Sequence, residues 1–350
     1  LDLETVWREV LMRALGIEMA RPDAVTLLAW SLTPGAEVRL ALLPTEMKSS
    51  ILAWLAECAG TVGAMVLGCV EAGRAADAVP LGLVSGVIFS ADGEGQASLG
   101  QAAIRLERFV NDKHVGVKEG RAWAAASERV LRGLPVEARR AVLDRADALL
   151  KDLRISEFAQ LSDELPSGLD QRMTAFASAL AAHANDPDQV QLQQVERLAD
   201  RALRHVMLND QRYRKERVEM ARRLARWLIE PMASGASVPD SVQWQADQGA
   251  YVDWARFRLL GGDELTELSD AYSAVRHAVT ARREGFSNAF GQALVQWNAQ
   301  IPDGNGRVVP VEQVLDRVVA PIAAVQPTLL LVVDGLSNSI FRELFARAAG

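Results

Sequence analysis

The spacing of apolar positions changes along this chain. Leu3, Val6, Val10 and Ala14 recur at helical intervals, and Trp7, Leu11 and Leu15 widen the stripe. This predicts a helix over residues 3–15 that Gly16 ends. The next apolar runs have no such period. Ala24–Ser31 and Gly63–Val70 are continuous, rich in aliphatic residues and short, and read as buried strands. Glu37–Leu43 fits a strand or a short helix, Thr45–Cys58 fits a helix starting near Thr45 or Ser49, and Leu81–Phe89 fits either. The sum is an expected small α/β domain over residues 1–95.

Residues 96–300 are rich in Ala, Leu and Arg and read as helical almost throughout. Breaks are expected at His114–Gly116, Gly133–Pro135, Pro166–Gly168, Asn185–Pro187, Pro231–Pro239 and Gly261–Gly262. The helix lengths vary without a fixed period, so an irregular helical array is expected rather than a solenoid of repeats. Helices over 136–154 and 211–230 should be long and amphipathic. A longer one over 263–300 depends on whether Gly285 breaks it. Residues 301–350 read as a linker, a helix over 310–323, and the start of a further domain.

That last domain begins with Thr328-Leu-Leu-Leu-Val-Val-Asp334-Gly335-Leu-Ser337. A charge-free, β-branched run of this length reads as a strand covered on both faces, as in a parallel sheet. At its carboxyl end, where open α/β sheets bind ligands, stands Asp334. A carboxylate there can hold a hard or borderline cation. Gly335 suits the turn, and Ser337 or Asn338 can cap a following helix whose positive end favours a phosphate. The same pattern also occurs as a plain structural turn in α/β proteins that hold no metal.

Composition limits the partners. The chain has 350 residues and a net charge of −7, and 49% of its residues are hydrophobic. That allows a sizeable core and two or three domains, and argues against a generally nucleic-acid-binding surface. Cys58 and Cys69 have apolar neighbours and no metal-ligand spacing, as expected of buried free thiols in a cytoplasmic protein. The acidic amphipathic start is not a signal peptide. No apolar run is expected to reach transmembrane length.

Leu329-Leu-Leu-Val-Val-Asp334-Gly335-Leu-Ser337-Asn-Ser-Ile-Phe-Arg-Glu-Leu344 resembles the opening of the PglZ domain. That family belongs to bacteriophage-exclusion (BREX) phage-defence systems and to the alkaline phosphatase superfamily. The opening third is also similar in style to the type two BREX PglZ proteins. The resemblance implies that Asp334 is a metal ligand, and that Ser337 lies near where some members place their hydroxyl nucleophile, at a spacing that varies. It implies a full-length metal-dependent phosphatase or phosphodiesterase using a divalent metal, zinc above all, with other BREX defence proteins as partners. The superfamily needs further Asp and His ligands well beyond its first strand, while this sequence ends at Gly350 and begins without Met. The expectation is therefore an inactive scaffold or interaction region of a longer cytoplasmic protein, with no metal bound by this piece. The alternative is a helical adaptor, without catalytic activity, for protein or DNA.

Residues 196–226 form the one basic stretch, with ten Lys/Arg against five acids. Arg197, Arg201, Arg204 and His205 share one helical face, with Arg222 and Arg226 further on. Such a face could follow a phosphodiester backbone, dock on an acidic partner, or be a solvated surface laced with pairs such as Glu219–Arg223. His114, His183, His205 and His277 lie far apart and read as surface or capping residues. Trp244 and Trp254 read as packing. The loop Asp92-Gly93-Glu94-Gly95 has two acids and lacks the third glycine of a dinucleotide fingerprint, so it reads as a linker. Asp303–Arg307 matches the opening of a calcium loop, but Val314 stands where a bidentate glutamate is required.

Overall fold

A computed structural model describes residues 2–231, 237–299, 308–338, 340–341 and 344–345. These form two compact units. The first comprises residues 1–172 and 204–210, and the second 173–203 and 211–350. The calcium-like loop 303–307 lies outside the described residues.

Unit one is entirely helical: α1 (Leu3–Leu15), α2 (Ala24–Ser31), α3 (Ala36–Ala41), α4 (Thr45–Glu71), α5 (Ala78–Ile88), α6 (Ala97–Glu107), α7 (Val117–Gly133) and α8 (Val136–Asp152). Among the described residues there is no strand, so the α/β domain expected over 1–95 is not formed. The two runs read as strands are α2 and the second half of α4. At the start of α2, Asp23 accepts from the Thr26 backbone N–H at 2.8 Å, an N-cap that commits the run to a helix. Trp30 closes it by donating its indole N–H to Leu15 O at 3.0 Å.

α5 explains why periodicity failed here. Ten of its eleven residues are buried, and a helix covered on all sides has no polar face to reveal its period. It packs most extensively on α7. Trp123 donates to Ala78 O at 3.0 Å, and Ser85 Oγ reaches Gly120 O at 2.8 Å. Arg145 of α8 grips Asp77, just before α5, with two hydrogen bonds of 2.8 and 2.9 Å.

α4 is long and apolar enough, by length and composition, to cross a membrane, contrary to the sequence expectation. Gly60, at φ 63° and ψ −151°, interrupts its helical geometry, and Val62, Met65–Leu67, Cys69 and Val70 are buried in the core of unit one. Burial pushes the Cys69 thiol up to about 12, so it stays protonated and inert; Cys58 is half-buried, and both thiols are free.

α9 (Pro166–Asn185) begins where a break was expected and runs on as one helix. Unit two continues with α10 (Gln189–Leu203), α11 (Arg212–Ile229), α12 (Val238–Trp244), a π-helical turn (Gln245–Gly249), α13 (Ala250–Arg258), α14 (Thr266–Ala299) and α15 (Ala320–Ala323). Gly285 does not break α14. Trp244 packs between Trp227 and Phe286, at centroid distances of 6.3 and 4.2 Å. The packing role read for it holds.

Candidate functional site

The expected C-terminal strand is absent as well. Residues 327–333 form neither helix nor strand, and Leu329, Leu331 and Val332 are 89%, 77% and 81% exposed. A parallel strand exists only through hydrogen bonds to neighbouring strands, and no strand occurs among the described residues. The turn after it does form. Asp334 and Gly335 occupy a turn with Gly335 at φ 72°, in the left-handed region expected of glycine. Ser337 Oγ then accepts from the Ile340 N–H at 3.3 Å, and Ser337 O from the Phe341 N–H at 2.9 Å. Ser337 is thus the cap read from the sequence.

Asp334 and Ser337 therefore share one exposed turn. No group of three or more His, Cys, Asp or Glu side chains converges there or elsewhere among the described residues. A divalent site needs three or four such ligands. The residues present at Asp334 do not by themselves fit a zinc ion.

Arg197 and Arg201 are on α10, which ends at Leu203, while Arg204 and His205 belong to the return loop of unit one. Arg197 is exposed beside Gln194, and Arg201 is partly buried. Arg226 makes a two-pronged ion pair with Glu196, one contact measuring 2.7 Å. Arg222 meets Asp200 at 2.7 Å. The acids of α10 thus neutralise two of the five proposed phosphate-tracking arginines, by pairs between helices rather than within one.

The histidines do not assemble, but two are buried rather than superficial. His183 Nε2 donates to Ala225 O at 2.9 Å. His205 Nε2 donates to Leu165 O at 3.0 Å, leaving Nδ1 to accept from the Met207 N–H at 3.3 Å. Burial holds His205 neutral and lowers it to about 4. Nearby, burial raises the carboxyls of Glu128 and Glu164; the Glu128 charge adds to the rise at Glu164, and Arg132 opposes both.

The glycine loop read as a linker is a wall of unit one. With Phe89, Leu99 and Arg121 it lines a cavity of about 400 Å³. Arg121 Nε donates to Phe89 O at 2.8 Å, and Glu94 also faces the cavity. Sequence reading missed a second constellation, in unit two. There Asp253 lies within 3.2 Å of Arg256 and 3.0 Å of Arg283. Its only sequence signal is that arginines and aromatics recur together over 244–286.

The described residues define a helical protein of two compact units, without a metal-ligand cluster of its own. Residues 23–164, wholly inside unit one, match the family model for the second domain of PglZ from the BREX system. The match supports a PglZ protein of the BREX family. A domain of that kind points to a role in phage defence and to interaction with other BREX proteins. No curated protein and no solved structure matches the chain.

Proposed function

We propose that this chain is the scaffold and interaction region of a PglZ phage-defence protein. Unit one docks other BREX components, and the segment around Asp334 presents one carboxylate and one hydroxyl to a metal-dependent phosphatase or phosphodiesterase centre. The observation that supports this reading is the pairing of a matched, close-packed helical domain with an apolar run, Leu329–Val333, that leaves its side chains exposed. Such a run suits burial against a further part of the protein, which would bring Asp334 towards further ligands. Those ligands would come from outside the described residues. A divalent metal, zinc foremost, would there polarise a phosphoryl oxygen and lower the pKa of a bound water or hydroxyl. Asp334 would be one ligand, and Ser337 would stand beside it.

The test compares this chain with the whole protein, each supplied with zinc and an aryl phosphodiester. Hydrolysis by the whole protein alone supports the reading, and equal hydrolysis by both refutes it. Capture of other BREX proteins by this chain tests the docking role separately.

A second reading is a DNA-binding adaptor, favoured by exposed Arg197 and Arg204. The ion pairs of Arg222 and Arg226 weigh against it. A salt titration decides: backbone contacts are strongest at low salt, so absence of DNA binding there removes this reading.

A further inference from the structure

We propose that a cavity in unit two binds a small organic acid, a molecule with an aromatic-sized apolar body and a single carboxylate. The cavity measures about 320 Å³, within the roughly 300–1,000 Å³ typical of small-molecule sites. Val242, Phe286 and Phe290 supply its apolar surface, and Gln245, Arg283 and Asn338 its polar groups.

Arg283 specifies the acid. Its side chain is only 13% exposed. Nη2 donates to Asp253 at 3.0 Å and to Gln245 Oε1 at 2.9 Å. The guanidinium lies over Trp244 and Phe286, at 5.3 and 5.7 Å from their centroids. These contacts fix its plane, yet Nη1 is buried with no partner. A buried donor left unpaired costs about 1–3 kcal/mol, and more when it is charged, so this atom calls for an acceptor.

The local charge calls for an anionic one. Asp253 is shared between Arg283 and Arg256, so two cations here meet one carboxylate. The Nε of Arg256 is buried and unpaired as well. A neutral ligand would satisfy the hydrogen bond but leave the surplus charge. A carboxylate satisfies both, and its apolar body covers Phe286 and Phe290.

The test uses the full 350-residue chain with naphthoate as probe and its neutral amide as control, followed by ligand-observed NMR and calorimetry. Saturable naphthoate binding is expected, with the amide at least about tenfold weaker, the worth of a charge-assisted hydrogen bond. Arg283→Gln should remove that preference. Should this variant fail to fold, Ser287→Trp provides the second arm, because Ser287 is an exposed residue of the cavity wall. It should abolish naphthoate binding while the circular dichroism stays unchanged. The proposal is overturned by the absence of saturable binding at millimolar naphthoate, by equal affinity for acid and amide, or by undiminished binding to a folded Ser287→Trp chain.

Discussion

The indole N–H of Trp123 donates to the carbonyl of Ala78 at 3.0 Å, which sets the ring of α7 against the first turn of α5. Gly82 leaves the room for it: a Cβ there would sit 2.8 Å from the Trp123 ring. Neither side can give, since Trp123 is wholly buried and Ser127 crowds the same point. Gly82→Ala should therefore destabilise the chain by about 1–3 kcal/mol, the usual cost of overpacking, although alanine is the better helix former. Trp123→Ala should cost about 3–5 kcal/mol. Urea unfolding midpoints measure both, and a Gly82→Ala chain as stable as the parent would contradict this packing.

Such packing also decides what could be read from the sequence. α1 was legible because one face is polar, Asp2 caps it at 2.7 Å from the Thr5 N–H, and Gly16 ends it. Gly63–Val70 was misread because burial of nearly every residue removes the polar face that distinguishes a helix from a covered strand, and Ala24–Ser31 because its one exposed position, Ala29, is itself apolar. The deciding signal for the first was Asp23 followed three residues later by Thr26, an N-cap pair that no strand requires. The run at 329–333 failed for a different reason: its pattern is that of a strand, but strands are stabilised by neighbours, and none is present among the described residues. The turn at Gly335 and the cap at Ser337 were legible because both are local. The specific family motif lies at residues 329–344 and the opening third carries only a likeness of style, yet the family match falls on 23–164.

His205 ties stability to pH. Its folded pKa of about 4 lies below the ordinary value of 6.5. Between those values the unfolded chain binds a proton that the folded chain does not, so stability falls as the pH is lowered. The slope is about 1.4 kcal/mol per pH unit at most, levelling off below the folded value. Asp163 and Arg172 act on the same ring in opposite directions. Glu128 and Glu164, whose pKa values are raised, work the other way, taking up protons in the fold first and gaining stability as the pH falls past them. Comparing His205→Gln with the parent isolates the histidine. The parent should lose more stability than the variant between pH 6.5 and 4, and parallel stability curves would dismiss the assignment.

The Arg226–Glu196 pair joins α11 to α10 at the surface, with side chains 47% and 23% exposed. Solvent screening limits its worth to about 0.2–1 kcal/mol. A double-mutant cycle of Arg226→Ala and Glu196→Ala should give a coupling in that range that shrinks with added salt. The pairing also predicts that Arg226→Ala leaves any DNA affinity unchanged, since that charge is already answered. A clear fall in low-salt affinity would show that the arginine leaves its partner for phosphate.

Asp334 bears on metal binding in a similar way. One exposed carboxylate competes poorly with water for zinc, and no ligand cluster surrounds it among the described residues. Equilibrium dialysis of the chain should show the same zinc retention for the parent and for Asp334→Asn. A marked loss in the variant would mean that further ligands already reach this turn.

The apolar run beside that turn is the last feature open to test. Leu329, Leu331 and Val332 present a row of large side chains to solvent, 77% exposed or more, in a segment of high β-propensity with no charge from Thr328 to Val333. Segments of this kind pair with copies of themselves when nothing covers them. Light scattering at rising concentration should therefore show the chain self-associating through this run. Leu331→Lys should suppress the effect, because a charge in the row cannot be buried between two copies. The substitution should leave thermal unfolding within about 0.5 kcal/mol of the parent, as for an exposed site. If Leu331→Lys instead lowered stability by several times that amount, the leucine would be packed in solution rather than exposed, and the proposed burial of this run against a further part of the protein would lose its basis.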